Sequence, residues 1–416
     1  MGISRRDFVK GGVSLVTIGT TAGSFLKGAV AFAAQNPGAV LPELGGKTLV
    51  LVQMAGGNDG LSTLVPYTNG AYQSARPTLG FDAEQVLPLD TEFGLHPNLT
   101  GLKSLWDENK LAVIQGVGYP EQNYSHFKSM AIWQRADPGL TTTDGWLGRT
   151  LEAMESEVHD PFLGFNAGGS QPISLQGPVP VPSVGDPADY AFKVGGEPAS
   201  PDHQRTQTLL KLYEEYPANS PFGVLLETTV DTAVESSAAL AEAGERYTPA
   251  VEYPETSFAG GLSLLAQAIV GDLGMRVGHV TLGGFDTHTN QSDTHDDLMT
   301  ALDGGISAFY ADLEAHGKAD DVIVLTWSEF ARRVEENANG GTDHGAANLM
   351  FAVGRGVEGG MFGEPSSLEN LVDRGNLGYT TDFRSVYATV AERWLGVPAS
   401  ELLGDSWPQL GFIPAA

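Results

Sequence analysis

The sequence predicts an α/β protein with a mainly parallel sheet and helices on both of its faces. Short aliphatic runs recur along the chain and end in Gly-rich or polar segments, a pattern typical of buried strands followed by loops. These strands are expected at residues 47–54, 111–116, 277–282, 321–327 and 349–353. Helical patterns lie between several of them, at 99–108, 262–273 and 298–316. Alternating strands and helices favour parallel strands joined by right-handed crossovers.

Length and composition are those of a folded protein with a large core. The chain has 416 residues, of which 41% are hydrophobic and only 18% are charged, so it is not a disordered polymer. We expect one α/β domain at about residues 40–400. Residues 160–258 are rich in Pro, Gly and Ser and then helical in pattern, and we interpret them as a cap-like insertion in that domain.

The charge balance excludes one class of partner. The chain has 51 Asp and Glu residues against 23 Lys and Arg residues, a formal net charge of −28, so no basic surface is available for nucleic acid. The acidic surface is interpreted either as a solubility device, as in a saline habitat, or as an attractor of cations. The chain has no Cys, which excludes disulfides, thiolate metal ligands and cysteine nucleophiles.

The N-terminus predicts an export signal. The sequence SRRDFVK begins at Ser4 and precedes a mildly apolar run that ends in small residues near Ala33. Paired arginines before such a run indicate the twin-arginine machinery. A transmembrane anchor is the alternative, but Lys27 and several Thr, Ser and Gly residues interrupt the run. We therefore expect residues 1–33 to be a cleaved signal, with no transmembrane anchor, and the mature protein to be periplasmic or secreted.

Polar side chains collect at the places where the expected strands end. The carboxyl ends of parallel strands meet at one edge of a sheet, and open α/β sheets bind ligands there. The candidates at this edge are Asn58, Asp59, Ser125, His126, Asp286, His288, His295, Ser328, Glu329, Asp343 and His344.

Each candidate alone has an ordinary structural interpretation. Asp59 is suited to cap the next helix, and a single loop histidine is usually just hydrogen-bonded. Glu329 is spaced for an ion pair with Arg332 or Arg333 one helical turn later. Taken together, the candidates favour a metal site, because several carboxylates in one pocket require a compensating positive charge.

Histidines combined with carboxylates suit one or two divalent ions such as zinc, manganese or calcium. The candidate metal ligands are Asp59, Asp286, His288, His295, Glu329, Asp343 and His344. A divalent ion activates water, and a pair of ions clamps the attacking and leaving oxygens of a phosphate ester, so the predicted chemistry is ester hydrolysis. The candidate nucleophile is Ser125, beside His126, or an activated water. Ser62 and Thr63 are weaker candidates.

Several motifs, in order, resemble one family of exported proteins. They are SRRDFVK, LVQMAGGNDGLSTLVPY, YQSARPTLG, GLHPNLTGLKSLW, NYSHFKSMAIWQ, GGFDTHTNQ, LTWSEFARRVEENANGGTDHG and TDFRSVYATVAERWLG. The sequence resembles the twin-arginine-exported family known as domain of unknown function 1501. That family is placed with the alkaline phosphatase-like superfamily, which includes sulfatases. The resemblance implies a metal-bearing α/β fold that hydrolyses or transfers phosphate or sulfate esters.

The resemblance also implies roles for individual residues. Asp59 matches the superfamily's first-strand metal carboxylate, and Asp286 with His288 matches its Asp and His pair, with His295 as a rival for the histidine. Ser328-Glu329 stands where the superfamily usually has Asp-His, so one imidazole is missing. His344, together with Asp343, resembles the late histidine that completes the centre.

Three functions remain open from the sequence. The first is an exported metal-dependent hydrolase of phosphate or sulfate esters, acting on small molecules or polysaccharides. The second is a catalytically inactive family member that serves as a binding or structural protein of the envelope or of extracellular polysaccharide. The third is a metal-independent hydrolase or transferase, in which Ser125 and His126 act as a pair.

Overall fold

The computed structural model describes residues 46–155, 160–185, 233, 236–373 and 375–415. The predicted signal at 1–33 and about half of the predicted insertion, residues 186–232 and 234–235, lie outside these residues. The strands are β1 (Thr48–Ala55), β2 (Leu64–Val65), β3 (Leu87–Pro88), β4 (Gly94–Leu95), β5 (Leu111–Gly118), β6 (Gly164–Ala167), β7 (Val277–Gly283), β8 (Val322–Trp327), β9 (Arg332–Glu336), β10 (Thr342–His344), β11 (Asn348–Val353), β12 (Gly360–Phe362) and β13 (Thr381–Asp382).

The α-helices alternate with these strands. They are α1 (Gly60–Thr63), α2 (Gly70–Ala75), α3 (Thr100–Asp107), α4 (His126–Arg135), α5 (Trp146–Met154), α6 (Ser257–Val270), α7 (Gln291–Ala315), α8 (Phe383–Val390) and α9 (Ala399–Leu403). Residues 236–246 are also helical. None of the described helices is long and apolar enough to cross a membrane.

The central sheet has the order β12-β5-β11-β8-β1-β7-β6, with β13 also paired to β5. Every pairing is parallel except the two made by β11, which runs antiparallel to β5 and to β8. The predicted α/β class with a mainly parallel sheet is therefore confirmed. The strand expected at 349–353 is present as β11, and it runs antiparallel to both of its neighbours.

The reversed strand decides where the chain segments meet. Strands β1, β5, β7 and β8 all point the same way, so the loops after them lie at one edge of the sheet. Because β11 runs the other way, its start, rather than its end, lies at that edge. The segment at 342–347, which precedes β11, is thereby brought beside the loops that follow the other strands.

Both faces of the sheet are covered. Alternate residues of a strand point to opposite faces, and accordingly Val50, Val52 and Met54 of β1 pack into one apolar cluster while Leu49 and Leu51 pack into a second. Residues of α3, α6 and α7 contribute to the first cluster, and residues of α4, α5 and α8 contribute to the second. Each fully buried Val or Leu side chain contributes about 1.5–3 kcal/mol, so the sheet is a rigid base for the loops at its edge.

Two glycines allow the loop after β1 to approach the neighbouring loops closely. Gly56 and Gly57 have φ angles of +123° and +82°, a region that other residues rarely adopt. A Cβ atom on Gly56 would lie 2.5 Å from the backbone nitrogen of Asp286, and one on Gly57 would lie 2.4 Å from the ring of Phe330. The glycine-rich turn therefore places the loops after β1, β7 and β8 in direct contact.

Two local predictions differ from the structure. Arg332 and Arg333 lie in strand β9, so the helical turn that would pair them with Glu329 does not form. Strand β6, within the range expected for the insertion, pairs with β7 in the central sheet. The cap-like insertion itself stays a prediction, because residues 186–232 lie outside the described part of the chain.

Candidate metal centre

Three side chains from separate segments converge at the loop-bearing edge of the sheet. His126 begins α4, Asp286 follows β7 and His344 ends β10. One ligand atom from each of the three lies within 4.8 Å of the other two. The sequence predicted all three as site residues, with His126 as a catalytic residue rather than a metal ligand.

The distances within this group suit a small divalent ion. Oδ1 of Asp286 lies 3.4 Å from Nε2 of His126 and 3.3 Å from Nε2 of His344. Nε2 of His288 lies 3.2 Å from the same oxygen and 2.9 Å from Nε2 of His344, close enough for a hydrogen bond that an ion would replace. Ligands at the usual zinc distance of about 2.0–2.1 Å, in tetrahedral geometry, are about 3.3 Å from each other.

The other ring nitrogen of each histidine has a partner of its own. Nδ1 of His126 lies 2.8 Å from Oε1 of Glu329, and Nδ1 of His344 lies 2.8 Å from the carbonyl oxygen of Tyr124. Nδ1 of His288 lies 3.4 Å from Oδ1 of Asp343. When Nδ1–H of a neutral imidazole donates to such an oxygen, Nε2 keeps its lone pair for an ion. Metal-bound histidines are commonly held in this way.

Glu329 therefore lies behind the ligand group rather than in it. Its side chain is fully buried, and its carboxylate accepts hydrogen bonds from the backbone N–H of Gly56 at 3.0 and 3.2 Å. The hydrogen bond with Glu329 raises the pKa of His126 despite the opposing effect of burial. Asp343, also predicted as a ligand, pairs with His288 and lies 3.5 Å from Nη1 of Arg333. Both predicted carboxylate ligands thus contact histidines of the centre.

Arg332 fixes the only ligand carboxylate of the group. Its buried guanidinium donates to Oδ1 of Asp286 at 2.8 Å and to the carbonyl oxygens of Gly57 and Phe285 at 2.7 and 2.9 Å. It also donates to the carbonyl of Gly56. Partial burial raises the pKa of Asp286, but the hydrogen bond and charge of Arg332 outweigh this and lower it. Asp286 is therefore held ionised.

Asp59 is not part of this group. Its buried carboxylate faces Arg76, with Nη1 at 2.5 Å from Oδ2 and Nη2 at 2.9 Å from Oδ1. Burial raises the pKa of Asp59, but Arg76 more than compensates and holds it at about 2. Oδ1 also accepts from the backbone N–H of Leu61 at 3.2 Å, so Asp59 caps α1 as the ordinary interpretation proposed.

His295 is also separate from the convergent group. It lies on α7, where Nε2 is 3.2 Å from Oδ1 of Asn58 and the ring packs edge-on against His96. The residue is 2% exposed. Burial lowers the pKa of His295 to about 3. Of the two rival histidines, His288 is thus the one that reaches Asp286.

Ser125 and His126 do not form a hydrogen-bonded pair. Ser125 is the exposed N-cap residue of α4, and its hydroxyl makes no capping hydrogen bond. His126 directs Nδ1 to Glu329 and Nε2 towards Asp286, and no hydrogen bond joins it to Ser125 in the described part of the chain. The geometry gives His126 the position of a ligand, whereas the catalytic roles predicted for both residues stay predictions.

Solvent can reach the centre from one side. The side chains of Asp286 and His288 are 50% and 41% exposed, and Phe127, the residue after His126, is 88% exposed. Sequence reasoning missed Arg76 and the carbonyl of Tyr124 as partners of the candidate residues, and it paired Arg332 with Glu329 rather than with Asp286. No local signal could have found these contacts, because they join segments that meet only in the folded chain.

Comparisons with solved structures find weak similarities. A sulfatase from Pseudoalteromonas sp., PsFucS1, is 11% identical, with 90% of this chain and 72% of that chain covered and a TM-score of 0.35. A phosphonate monoester hydrolase from Silicibacter pomeroyi is 11% identical, with 87% and 78% covered and a TM-score of 0.32. The periplasmic domain of EcEptC from Escherichia coli, in complex with Zn, is 11% identical, with 75% of each chain covered and a TM-score of 0.32.

The sequence comparisons are more decisive. No curated protein matches the chain. One sequence family, described as protein of unknown function (DUF1501), matches residues 112–400, more than half of the chain. That range contains His126, Asp286, His288 and His344, whereas Asp59 precedes it. The protein therefore belongs to the DUF1501 family.

Proposed function

We propose that this protein is an exported, metal-dependent hydrolase of phosphate or sulfate esters. The observation that carries the proposal is the convergence of the Nε2 atoms of His126, His288 and His344 on Oδ1 of Asp286, while the Nδ1 atoms lie beside separate oxygens. Side chains held in this way are prepared to bind an ion without rearranging.

The donor set fits a borderline ion better than a hard one. Imidazole nitrogens suit zinc and, together with a carboxylate, manganese, whereas calcium prefers six to eight oxygen ligands. Three carboxylates and two guanidinium groups surround the centre: Asp286, Glu329 and Asp343 with Arg332 and Arg333. The residual negative charge favours a divalent cation. Of the ions expected from the sequence, zinc is the one we propose.

Each residue contributes to the reaction by holding a charge or a proton. When bound, a divalent ion polarises an ester oxygen and makes water more acidic. Arg332 keeps Asp286 ionised and in place. Glu329 orients the ring of His126, and the Tyr124 carbonyl does the same for His344. The exposed sides of Asp286 and His288 leave room for an ester group to approach.

The proposed location follows from the signal sequence. A twin-arginine signal at residues 1–33 places the mature protein in the periplasm or outside the cell. Substrates there include small-molecule esters and esters carried on polysaccharides.

Metal analysis of the mature protein tests the proposal. We would compare the wild type with His126→Ala and His344→Ala, and use His316→Ala as a matched control, because His316 pairs with Asp312 on α7 and is not one of the three clustered ligands. The expected result is bound zinc in the wild type and in the control, little in the two ligand variants, and metal-dependent turnover of p-nitrophenyl phosphate or sulfate that follows the zinc content.

The outcome separates the proposed functions. A folded wild type that retains no metal, after each candidate ion has been offered, would exclude the metallohydrolase. Bound zinc without turnover of any phosphate or sulfate ester would favour the alternative, a catalytically inactive protein that binds extracellular polysaccharide or another envelope component. Turnover that is independent of metal and lost in Ser125→Ala would favour the metal-independent hydrolase.

A further inference from the structure

We propose that the centre holds a single divalent ion, and that the guanidinium of Arg76 supplies the positive charge at Asp59, which the sequence predicted as a metal ligand. This inference rests on the proposed function and concerns the number of ions in that site. Its basis is the set of contacts made by Asp59 and Arg76, both of which are 1% exposed.

The carboxylate of Asp59 has no acceptor capacity left for an ion. Oδ1 accepts from the Leu61 N–H at 3.2 Å and from Arg76 at 2.9 Å. Oδ2 accepts from Arg76 at 2.5 Å and from the Ser62 hydroxyl at 3.0 Å, and it also accepts from the side-chain amide of Gln291. A carboxylate offers about four lone-pair sites, and here five hydrogen bonds reach it.

All of the N–H donors of Arg76 are also engaged, so its positive charge is fixed in place beside Asp59. Besides its contacts with Asp59, it donates from Nε to the carbonyl of Val334 at 3.0 Å and from Nη2 to the carbonyl of Arg333 at 2.9 Å. Nη1 also lies 2.9 Å from the hydroxyl of Ser62. The five contacts match the five N–H donors of a guanidinium, and such a fork fits a carboxylate through two parallel hydrogen bonds.

The other potential metal ligands near Asp59 do not form a second metal site. Among the described residues, potential ligand atoms come together around Asp286, from His126, His288 and His344, and Asp59 is not part of that group. Asn58 is already engaged, because its Oδ1 lies 3.2 Å from His295 and 3.1 Å from the hydroxyl of Thr63. A buried Asp and Arg pair is neutral, so it needs no further cation.

Metal stoichiometry tests this inference, by native mass spectrometry and elemental analysis of the exported, processed protein titrated with zinc. We expect one tightly bound ion per chain in the wild type. We also expect one ion in the double variant Asp59→Asn, Arg76→Gln, which removes both charges of the pair and keeps an amide side chain at each position. The His126→Ala variant should bind none.

Two specific ions per chain in the wild type, with one lost in the double variant, would overturn the inference and leave the proposed function standing. One ion per chain without ester turnover would overturn the proposed function and leave the inference standing. The wild-type stoichiometry decides the question even where the double variant fails to fold.

Discussion

The substitution Glu329→Gln tests whether the negative charge beside Nδ1 of His126 strengthens the binding of zinc. Glu329 is fully buried, and its Oε1 lies 2.8 Å from Nδ1 of His126 and 3.0 Å from the Gly56 N–H. A glutamine whose carbonyl oxygen takes the place of Oε1 can still accept from both donors. The substitution therefore removes the negative charge while retaining most of the hydrogen bonds.

The expected loss of zinc affinity follows from the position of Glu329 behind a metal ligand, His126. Mutation of a carboxylate that contacts a metal-bound histidine typically weakens metal affinity by about 10–100-fold, which corresponds to about 1.4–2.7 kcal/mol. Glu329 also raises the pKa of His126, so its removal makes that ring a poorer base and a weaker zinc ligand. We expect the dissociation constant for zinc to rise by this factor in the variant.

Competition with a zinc-chelating dye, at neutral pH and fixed ionic strength, measures the effect. The exposed Glu358 provides a matched control, because Glu358→Gln makes the same chemical change away from the centre and should leave the dissociation constant unchanged. The melting temperature of both metal-free variants reports whether folding is intact. An unchanged zinc affinity in a well-folded Glu329→Gln protein would refute the argument that the negative charge of Glu329 makes His126 a stronger zinc ligand.

Three further predictions concern stability. The pKa of Asp59 is lowered from 3.8 to about 2 in the folded protein, so its contribution of about 2 kcal/mol should be present above pH 4 and lost as the pH falls towards 2. Urea unfolding at several pH values measures this loss. At pH 7, Asp59→Asn should lower the free energy of unfolding by about 3–5 kcal/mol, because it leaves a buried arginine unpaired. Burial lowers the pKa of His295 from 6.5 to about 3, so stability should fall between pH 6.5 and 3, and His295→Gln should flatten that decline; an equally steep curve in the variant would contradict the assignment. Gly57→Ala should destabilise by more than Gly317→Ala in urea, since both have positive φ but only Gly57 faces an aromatic ring; equal losses would show that the close approach is unimportant.

The strands and the edge that carries the site could be predicted because their signals are local. The aliphatic runs at 47–54, 111–116, 277–282 and 321–327 form β1, β5, β7 and β8 within one or two residues. Buried strands need continuous apolar runs, and the polar residues after them are visible in any sequence. The sheet edge, and with it Asp286 and His288, follows from that pattern and the rule for parallel sheets, whereas His344 reaches the edge only because β11 is antiparallel.

The choice of partners could not be predicted because it depends on contacts between distant segments. Asp59 and Arg76 are joined only when α2 packs beside the loop after β1. Glu329 meets His126 across more than two hundred residues of sequence, and His344 meets the carbonyl of Tyr124 across a similar separation. Carboxylates that look alike in the sequence thus divide into a ligand, two histidine partners and one half of an ion pair.

By itself the sequence determined the α/β class, the edge of the sheet at which polar residues collect, and the family resemblance, because aliphatic periodicity and ordered motifs are properties of short segments. The tertiary structure decided which imidazoles face one another, the reversed direction of β11, and the guanidinium that satisfies Asp59. These features depend on the directions in which side chains from separate segments point after packing, and no local pattern in the chain encodes such directions.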